Sequence, residues 1–166
     1  PGSLRKLEDM SIRLAGITGQ VCNQLENCRI LVFAADNGVI AEGVSSSPES
    51  VTLSQAVNMT RHITGMSALA KYFGNSVVVA DVGINAEVRC PAVLDRKIRR
   101  STRNLAKEPA LTRQEVLDAM EVGLDLVSQA KAEGVQAIGV GEMGIGNTTT
   151  SSAVLAALTG AEVEQV

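Results

Sequence analysis

Aromatic residues are almost absent from this 166-residue chain, which contains one Tyr, two Phe and no Trp. Proteins that bind single-stranded nucleic acid use aromatic side chains as platforms for base stacking, so this composition argues against such a site. Basic residues are also outnumbered. The chain has 15 Lys and Arg and 18 Asp and Glu, which gives a net charge of −3. The chain has no basic surplus with which to neutralise a phosphate backbone, and we expect no nucleic-acid partner.

Cysteine and histidine are few as well. The three cysteines form no C-x-x-C pair, and the single histidine, His62, stands far from Cys22, Cys28 and Cys90 in the sequence. This pattern argues against a disulfide framework and against a structural zinc site, so we expect no metal. We interpret His62, with apolar neighbours on a predicted helix, as a structural residue.

Long apolar runs are also missing. No stretch approaches the roughly 18 consecutive apolar residues of a transmembrane helix. The polar start of the chain lacks the apolar segment of a signal peptide. We therefore expect no membrane partner and a cytoplasmic location.

Apolar residues nevertheless make up 45% of the sequence, and their spacing predicts an α/β fold. Three short runs are almost continuously apolar, at residues 29–35, 76–82 and 135–141. Such runs are typical of strands that are covered on both faces. Segments with helical spacing separate them, and this alternation predicts an open, mostly parallel sheet with flanking helices.

Two helical segments flank the first predicted strand. The second of them extends from about residue 52 to residue 73, where Thr52 and Gln55 have capping-box spacing and Gly65 predicts a break. In the first segment, apolar residues recur every three or four positions and share one face, at Leu4, Leu7, Met10, Leu14, Ile17 and Val21.

Two further helices flank the third predicted strand. One is predicted to begin at a capping box of Thr112 and Glu115, and the other to begin at Asn147 or Thr148 and to end near Gly160. The first of these helices is expected to bury a stripe formed by Val116, Met120, Leu124 and Val127.

The last six residues, 161–166, look like the approach to another strand. Three strands with unpaired edges make a poor independent sheet. We therefore expect residues 1–166 to be a single α/β domain or the N-terminal portion of a longer protein, with a sheet that is incomplete in this chain.

Polar residues follow the first two strands, at the sheet edge where parallel α/β folds bind their ligands. Asp36 and Asn37 follow the first strand, and Asp81 closes the second. All three are candidates for substrate binding. A turn or cap role remains an alternative for Asp81, because Asp is a frequent turn former.

The third strand leads into residues 139–150 (GVGEMGIGNTTT), which combine four glycines, a carboxylate and a helix start. Glycine allows close backbone approach, and the N–H groups of a helix start attract an anion such as a phosphate. The alternative is a tight turn with an Asn or Thr N-cap. Glu142 favours a ligand site, because a carboxylate beside a phosphate is unfavourable unless it holds a ribose hydroxyl or stabilises a developing cation.

Motifs along the whole chain resemble the nicotinate-nucleotide:dimethylbenzimidazole phosphoribosyltransferase family. They lie at residues 1–4 with 7–8, 34–36 with 38–39, 42–45, 51–52, 81–83, 102–104 and, above all, 141–148 (GEMGIGNT). The resemblance implies a Rossmann-like α/β fold, a homodimer, and no metal or cofactor. It also implies transfer of the phosphoribosyl group of nicotinate mononucleotide to a base such as 5,6-dimethylbenzimidazole, with inversion to an α-glycosidic bond and release of nicotinate, in cobalamin biosynthesis.

The resemblance also assigns roles to the residues of the last motif. Gly144, Gly146 and Asn147 are expected against the phosphate and ribose of the mononucleotide, and Glu142 near the anomeric carbon as a catalytic residue. A carboxylate there would stabilise the positive charge that the departing nicotinate leaves on the ribosyl ring.

The pocket for the accepting base is expected at three further residues. Ser47 and Gln55 could hydrogen-bond an azole or purine, and Met143 would offer an adaptable apolar wall. For Gln55, the capping box described above remains an alternative of equal weight.

Two departures from the family stand out. The family usually has His at the position of Asn37 and Gly-Arg at the position of Arg5 and Lys6. The glutamate thought to act as the family's general base is expected beyond Val166, so we expect this piece alone to be inactive. Two other hypotheses stay open, a noncatalytic nucleotide- or base-binding module and an unrelated mononucleotide-dependent enzyme.

Overall fold

The computed structural model describes residues 2–166, in which strands alternate with helices. The strands are β1 (Cys28–Ala35), β2 (Ser76–Gly83), β3 (Val93–Asp95) and β4 (Ala137–Met143). The helices are α1 (Lys6–Thr18), α2 (Ser50–Thr60), α3 (Gly65–Tyr72), α4 (Arg113–Ala132) and α5 (Asn147–Thr159). Short 3-10 helices occupy Gly38–Glu42 and Val163–Gln165.

The strands of residues 2–166 form one parallel sheet in the order β3-β2-β1-β4. From β1 the chain continues through β2 and β3 on one side and then crosses to place β4 on the other side of β1. The strand order therefore reverses between β1 and β4, and open α/β sheets bind their ligands at such a reversal. This sheet confirms the predicted α/β fold, while β3 adds a fourth strand that is too short to show an apolar run.

Helices cover both faces of the sheet. Neighbouring residues of a strand point to opposite faces and therefore meet different helices. Val32 of β1 packs in one cluster with Ala56 of α2 and Met66 of α3. Leu31, its neighbour, packs in a second cluster with Leu126 of α4. This arrangement confirms the predicted sheet with flanking helices.

The buried side of α4 differs from the predicted one. Leu126 is 4% exposed, whereas Leu124 is 69% exposed. Apolar residues at helical spacing occur on two sides of this helix, so periodicity alone does not decide which side meets the sheet. The predicted burial is therefore wrong for Val116, Met120, Leu124 and Val127. The helix packs instead through Val122, Leu126 and Ala130.

One of the two predicted capping boxes is confirmed. At the start of α4 the hydroxyl of Thr112 accepts from the Glu115 N–H, and the Glu115 carboxylate accepts from the Thr112 N–H. The box of Thr52 and Gln55 is wrong, because α2 already begins two residues before Thr52. The Thr52 hydroxyl instead accepts the N–H of Ile145 at 3.0 Å.

The predicted break near Gly65 is confirmed, since α2 ends at Thr60 and α3 begins at Gly65. Thr64 and Ser67 form a capping box there that the sequence analysis did not identify. His62 lies in this break rather than on a helix, with a φ of 59°. Its Nδ1 is 3.2 Å from the carbonyl oxygen of Ser67, which is a structural contact.

The helices at the two ends of the described chain carry no buried residue. The apolar face of α1 is exposed, including Met10 and Ile17. Residues 161–166 contain a 3-10 turn. The expectation that they lead toward a further strand stays a prediction. None of the helices in residues 2–166 combines the length and the apolar character needed to cross a membrane.

Candidate functional site

A pocket of about 280 Å³ opens at the carboxyl ends of β1 and β4, where the strand order reverses. Side chains from the end of β1, the end of β4 and the first turn of α5 line it together. Four residues predicted from the sequence meet there, Asn37, Glu142, Met143 and Asn147. The sheet therefore joins the first and last candidate segments, which are more than 100 residues apart in the chain.

Gly144 allows the loop after β4 to pass directly against the end of β1. A Cβ atom at this position would lie 2.2 Å from the carbonyl oxygen of Ala35 and 2.8 Å from Nδ2 of Asn37. Because one of these atoms belongs to the backbone, a side chain could not be accommodated by a rotamer change. Gly146 serves a different purpose, since its φ of 88° lies in the left-handed region that favours glycine.

Helix α5 begins at this glycine loop without a side-chain cap. Gly146 is its N-cap residue and Asn147 its first helical residue. Helices α3 and α4, by contrast, begin with capping boxes. The structure thus lacks the Asn or Thr cap that the alternative interpretation of this turn required. An uncapped helix start beside a pocket suits an anionic ligand.

Glu142 projects into the pocket from the end of β4 and is held by Asn147. The side-chain amide of Asn147 donates to Oε1 of Glu142 at 2.5 Å. The carboxylate is exposed, so it is open to a ligand at the helix start. The geometry places a negative charge and a potential anion site within one short loop.

Asn37 is held on both sides of its amide group. Nδ2 donates to the carbonyl oxygen of Ile145 at 3.1 Å, and Oδ1 accepts from the hydroxyl of Thr150 at 2.9 Å. The side chain therefore connects the end of β1 with the glycine loop and with α5.

Asp36 is 2% exposed and braces the strand ends. Its Oδ2 accepts the N–H of Asn85 at 2.8 Å, and its backbone bonds to Gly83 and Thr102. Oδ1 has no hydrogen-bond partner within the described residues. Contact between Asp36 and a substrate stays a prediction.

Asp81 is 1% exposed and has partners for both carboxylate oxygens. Oδ1 accepts the N–H groups of Gly83 and Ile84 at 3.0 and 2.8 Å, and Oδ2 pairs with Lys97 Nζ at 2.8 Å. This is the geometry of a turn residue with a buried ion pair, which favours the alternative weighed from the sequence. A role for Asp81 in substrate binding stays a prediction.

The two polar residues expected at the base pocket lie outside the pocket lining. Ser47 is exposed in the loop before α2, and its N–H bonds to Ser45. Gln55 is half-buried in α2, three residues after the Thr52 that contacts the glycine loop. Their contact with an accepting base stays a prediction.

Thr102 supports the segment that carries Asn37, a role that the sequence did not predict. Its N–H donates to the carbonyl oxygen of Asp36, and its hydroxyl accepts the N–H of Gly38 at 3.0 Å. A Cβ atom on Gly38 would lie 2.4 Å from the Thr102 carbonyl oxygen, so this contact requires glycine. The matched motif at residues 102–104 was the available signal, although it carried no chemistry of its own.

Glu115 anchors the segment that contains Thr102. It pairs with Arg103 at 2.7 Å and with Arg99 at 3.3 Å. The hydrogen bond from Arg103 and the backbone N–H of Thr112 lower the pKa of Glu115 to about 2. The Lys107 ammonium and the Asn104 amide likewise lower the pKa of Glu42, at the end of the 3-10 helix Gly38–Glu42.

A metal-binding group is not found in the described part of the chain, since no three His, Cys, Asp or Glu side chains of residues 2–166 could together hold an ion. The expectation that the protein needs no metal stays a prediction.

Comparisons with known proteins agree with one another. A family model described as phosphoribosyltransferase matches residues 1–166. The nicotinate-nucleotide–dimethylbenzimidazole phosphoribosyltransferase of Clostridium perfringens is 49% identical over 165 residues, covering 99% of this chain and 46% of that protein. The protein of the same name from Ruminiclostridium cellulolyticum is 46% identical, with 99% and 47% covered.

The fold also matches solved structures. The crystal structure of CobT from Thermus thermophilus superposes with a TM-score of 0.88 at 40% identity, covering 96% of this chain and 48% of that one. The chain thus spans about half the length of the relatives it matches. Since the family model matches from the first residue to the last, the chain belongs to this phosphoribosyltransferase family.

Proposed function

We propose that the protein transfers the phosphoribosyl group of nicotinate mononucleotide to a lower-ligand base such as 5,6-dimethylbenzimidazole. The products would be nicotinate and an α-ribazole phosphate, in cobalamin biosynthesis. The observation that carries this proposal is the pairing of Glu142 with Asn147 beside the uncapped start of α5. The names of the chain's relatives give the substrates.

The phosphate of the mononucleotide would bind at the glycine loop. Gly144 and Gly146 keep Cβ atoms out of the space around the loop, and the start of α5 supplies N–H groups and the positive end of its dipole. Asn147 would contact the ribose from the same helix start.

Glu142 would act on the ribosyl ring. Departure of nicotinate leaves positive charge on the ring, and a fixed carboxylate stabilises that charge more than it stabilises the ground state. The hydrogen bond from Asn147 holds the carboxylate at the pocket. Preorganisation of this kind avoids reorientation at the moment of reaction.

The accepting base would be bound by Ser47, Gln55 and Met143. Met143 supports this assignment because it lines the pocket and also packs against the buried cluster below β1. Substrate contacts by Asp36 and Asp81 remain part of the proposal with less support, since Asp81 bonds within the protein. Asn37 is kept at the site, but both polar atoms of its amide also bond within the protein.

The remaining expectations concern the whole protein. We propose a homodimer in the cytoplasm that uses no metal or cofactor, with residues 1–166 forming an α/β domain or part of one. The general base that receives the proton of the accepting nitrogen is expected beyond Val166, so residues 1–166 alone are expected to bind nucleotide without completing transfer.

The test is product formation by the native full-length protein. Incubation with nicotinate mononucleotide and 5,6-dimethylbenzimidazole should release nicotinate and form α-ribazole phosphate, both measured by chromatography with mass detection. The Glu142→Gln variant should form product much more slowly while the exposed Glu121→Gln control should not. Binding of both substrates without any product would instead favour the noncatalytic binding module.

A further inference from the structure

Asn37 is half-buried and is in close contact with the glycine loop. A Cβ atom on Gly144 would lie 2.8 Å from Nδ2 of Asn37, and one on Gly146 would lie 3.5 Å from Cβ of Asn37. The loop therefore passes around this side chain at two glycines. Its amide is also bonded on both sides, to the Ile145 carbonyl and to the Thr150 hydroxyl.

From these contacts we propose that Asn37 is a positioning residue that fixes the loop of residues 144–147 and the start of α5 for phosphate binding, and is not itself a ligand of the substrate. The inference rests on the proposed function and assigns Asn37 a different role within it. Its amide hydrogen bonds bridge residues that are more than 100 positions apart.

Thr102 holds Asn37 from the opposite side. The two residues that flank Asn37 are both bonded to Thr102, Asp36 through its carbonyl oxygen and Gly38 through its N–H. These two bonds fix the backbone on either side of Asn37, independently of the contacts that its side chain makes with the loop. The resulting chain of contacts runs from Thr102 through Asn37 to α5.

The chemistry of the amide suits this role. The Ile145 carbonyl requires a donor and the Thr150 hydroxyl requires an acceptor, and an uncharged amide supplies both. An aspartate would supply acceptors only and would bring its charge toward the carbonyl oxygen. Asn37→Asp is therefore a sharper test than removal of the side chain.

The first experiment follows the loop directly and does not depend on any substrate. Amide hydrogen exchange of residues 144–150 is measured in the native full-length protein for the wild type, Asn37→Asp and Thr150→Val. Both variants should exchange about three- to tenfold faster in this segment, as expected for the loss of one hydrogen bond. Thr159→Val is the matched control, because its hydroxyl bonds only at the far end of α5, to the Leu155 carbonyl and the Ala161 N–H. Asn37→Asp removes the donor to the Ile145 carbonyl, and Thr150→Val removes the other hydrogen bond of the Asn37 amide. The test therefore survives if an Asn37 variant does not fold.

The second experiment measures preference for phosphate. The affinity for nicotinate mononucleotide is compared with the affinity for its dephosphorylated nucleoside by calorimetry. Asn37→Asp and Thr150→Val should lower this preference about three- to tenfold, with little change for the nucleoside. If the two side chains had a merely structural role, the affinities for both compounds would fall equally.

The outcomes separate the two proposals. Unchanged exchange in both variants, or an unchanged preference for phosphate when the wild type has one, would overturn the positioning role. A wild type that binds neither compound would overturn the proposed function, and the exchange result alone would then decide whether Asn37 fixes the loop.

Discussion

The side-chain amide of Asn147 bonds to the carboxylate of Glu142 across the loop that joins β4 to α5. Asn147 is the first residue of the helix and Glu142 the next-to-last residue of the strand. One hydrogen bond thus connects the candidate anion site with the candidate catalytic carboxylate. A displacement of the helix start would move both.

Glu142→Gln should lower kcat by about 10²–10³-fold while changing the affinity for nicotinate mononucleotide little. Glutamine keeps an oxygen that can accept from Asn147, so the substitution removes the charge and preserves the geometry. Steady-state kinetics on the native protein provide the measurement. If only KM changed, Glu142 would be a binding residue.

Gly144→Ala should abolish nucleotide binding or unfold the loop, because its Cβ atom would collide with the carbonyl oxygen of Ala35. Gly141→Ala is the matched control, since a Cβ atom there meets its nearest neighbour at 3.9 Å. Calorimetric titration with nicotinate mononucleotide compares the two variants. Equal affinities would show that the close approach at Gly144 is not needed by the site.

The double variant Ser47→Tyr with Gln55→Met should shift preference away from benzimidazoles toward smaller or less polar acceptors. Loss of one hydrogen bond is worth about 0.5–1.5 kcal/mol, so relative specificity should change only a few-fold to about tenfold. A competition assay with a benzimidazole, adenine and a phenol measures the product ratio. Ser54→Tyr, on the exposed side of α2, is the control. An unchanged ratio in the double variant would place the base elsewhere.

Glu115→Gln should destabilise the protein near neutral pH but not near pH 2. Arg103 lowers the pKa of Glu115 to about 2 in the folded protein, while an unfolded chain has the ordinary value. The stabilisation is therefore fully present above the unfolded pKa and is lost as pH falls through the folded one. Urea unfolding of the wild type and the variant across this range is the measurement. A difference in stability that did not shrink on acidification would contradict the ion-pair explanation.

Leu126→Ala should lower the free energy of unfolding by about 2–5 kcal/mol, because it leaves a cavity beneath α4. Leu124→Ala, at an exposed position of the same helix, should change it by about 0.5 kcal/mol or less. Denaturant unfolding of both variants tests which side of α4 meets the sheet. A larger effect at Leu124 would restore the stripe expected from periodicity.

Part of the site was predictable because it is local in sequence. The glycines of residues 139–150 and the helix start at Asn147 lie in one segment, so their meeting needs no knowledge of the sheet. The position of Asn37 opposite this segment depends on β4 pairing with β1. No pattern in the sequence predicts the pairing of β1 with β4, since the same runs of apolar residues are compatible with other strand orders.

The sequence by itself determined the features that depend on residues three or four positions apart. The capping box of Thr112 and Glu115 at the start of α4 is one example. Only the tertiary structure decided which side of α4 is buried and that Thr52, and not a capping box, uses its hydroxyl to hold Ile145, 93 residues away. The physical reason is that helical hydrogen bonds and capping contacts join residues that are close in the sequence. Which face of a helix is buried, and which distant group a hydroxyl bonds to, depend instead on the order of the strands in the sheet.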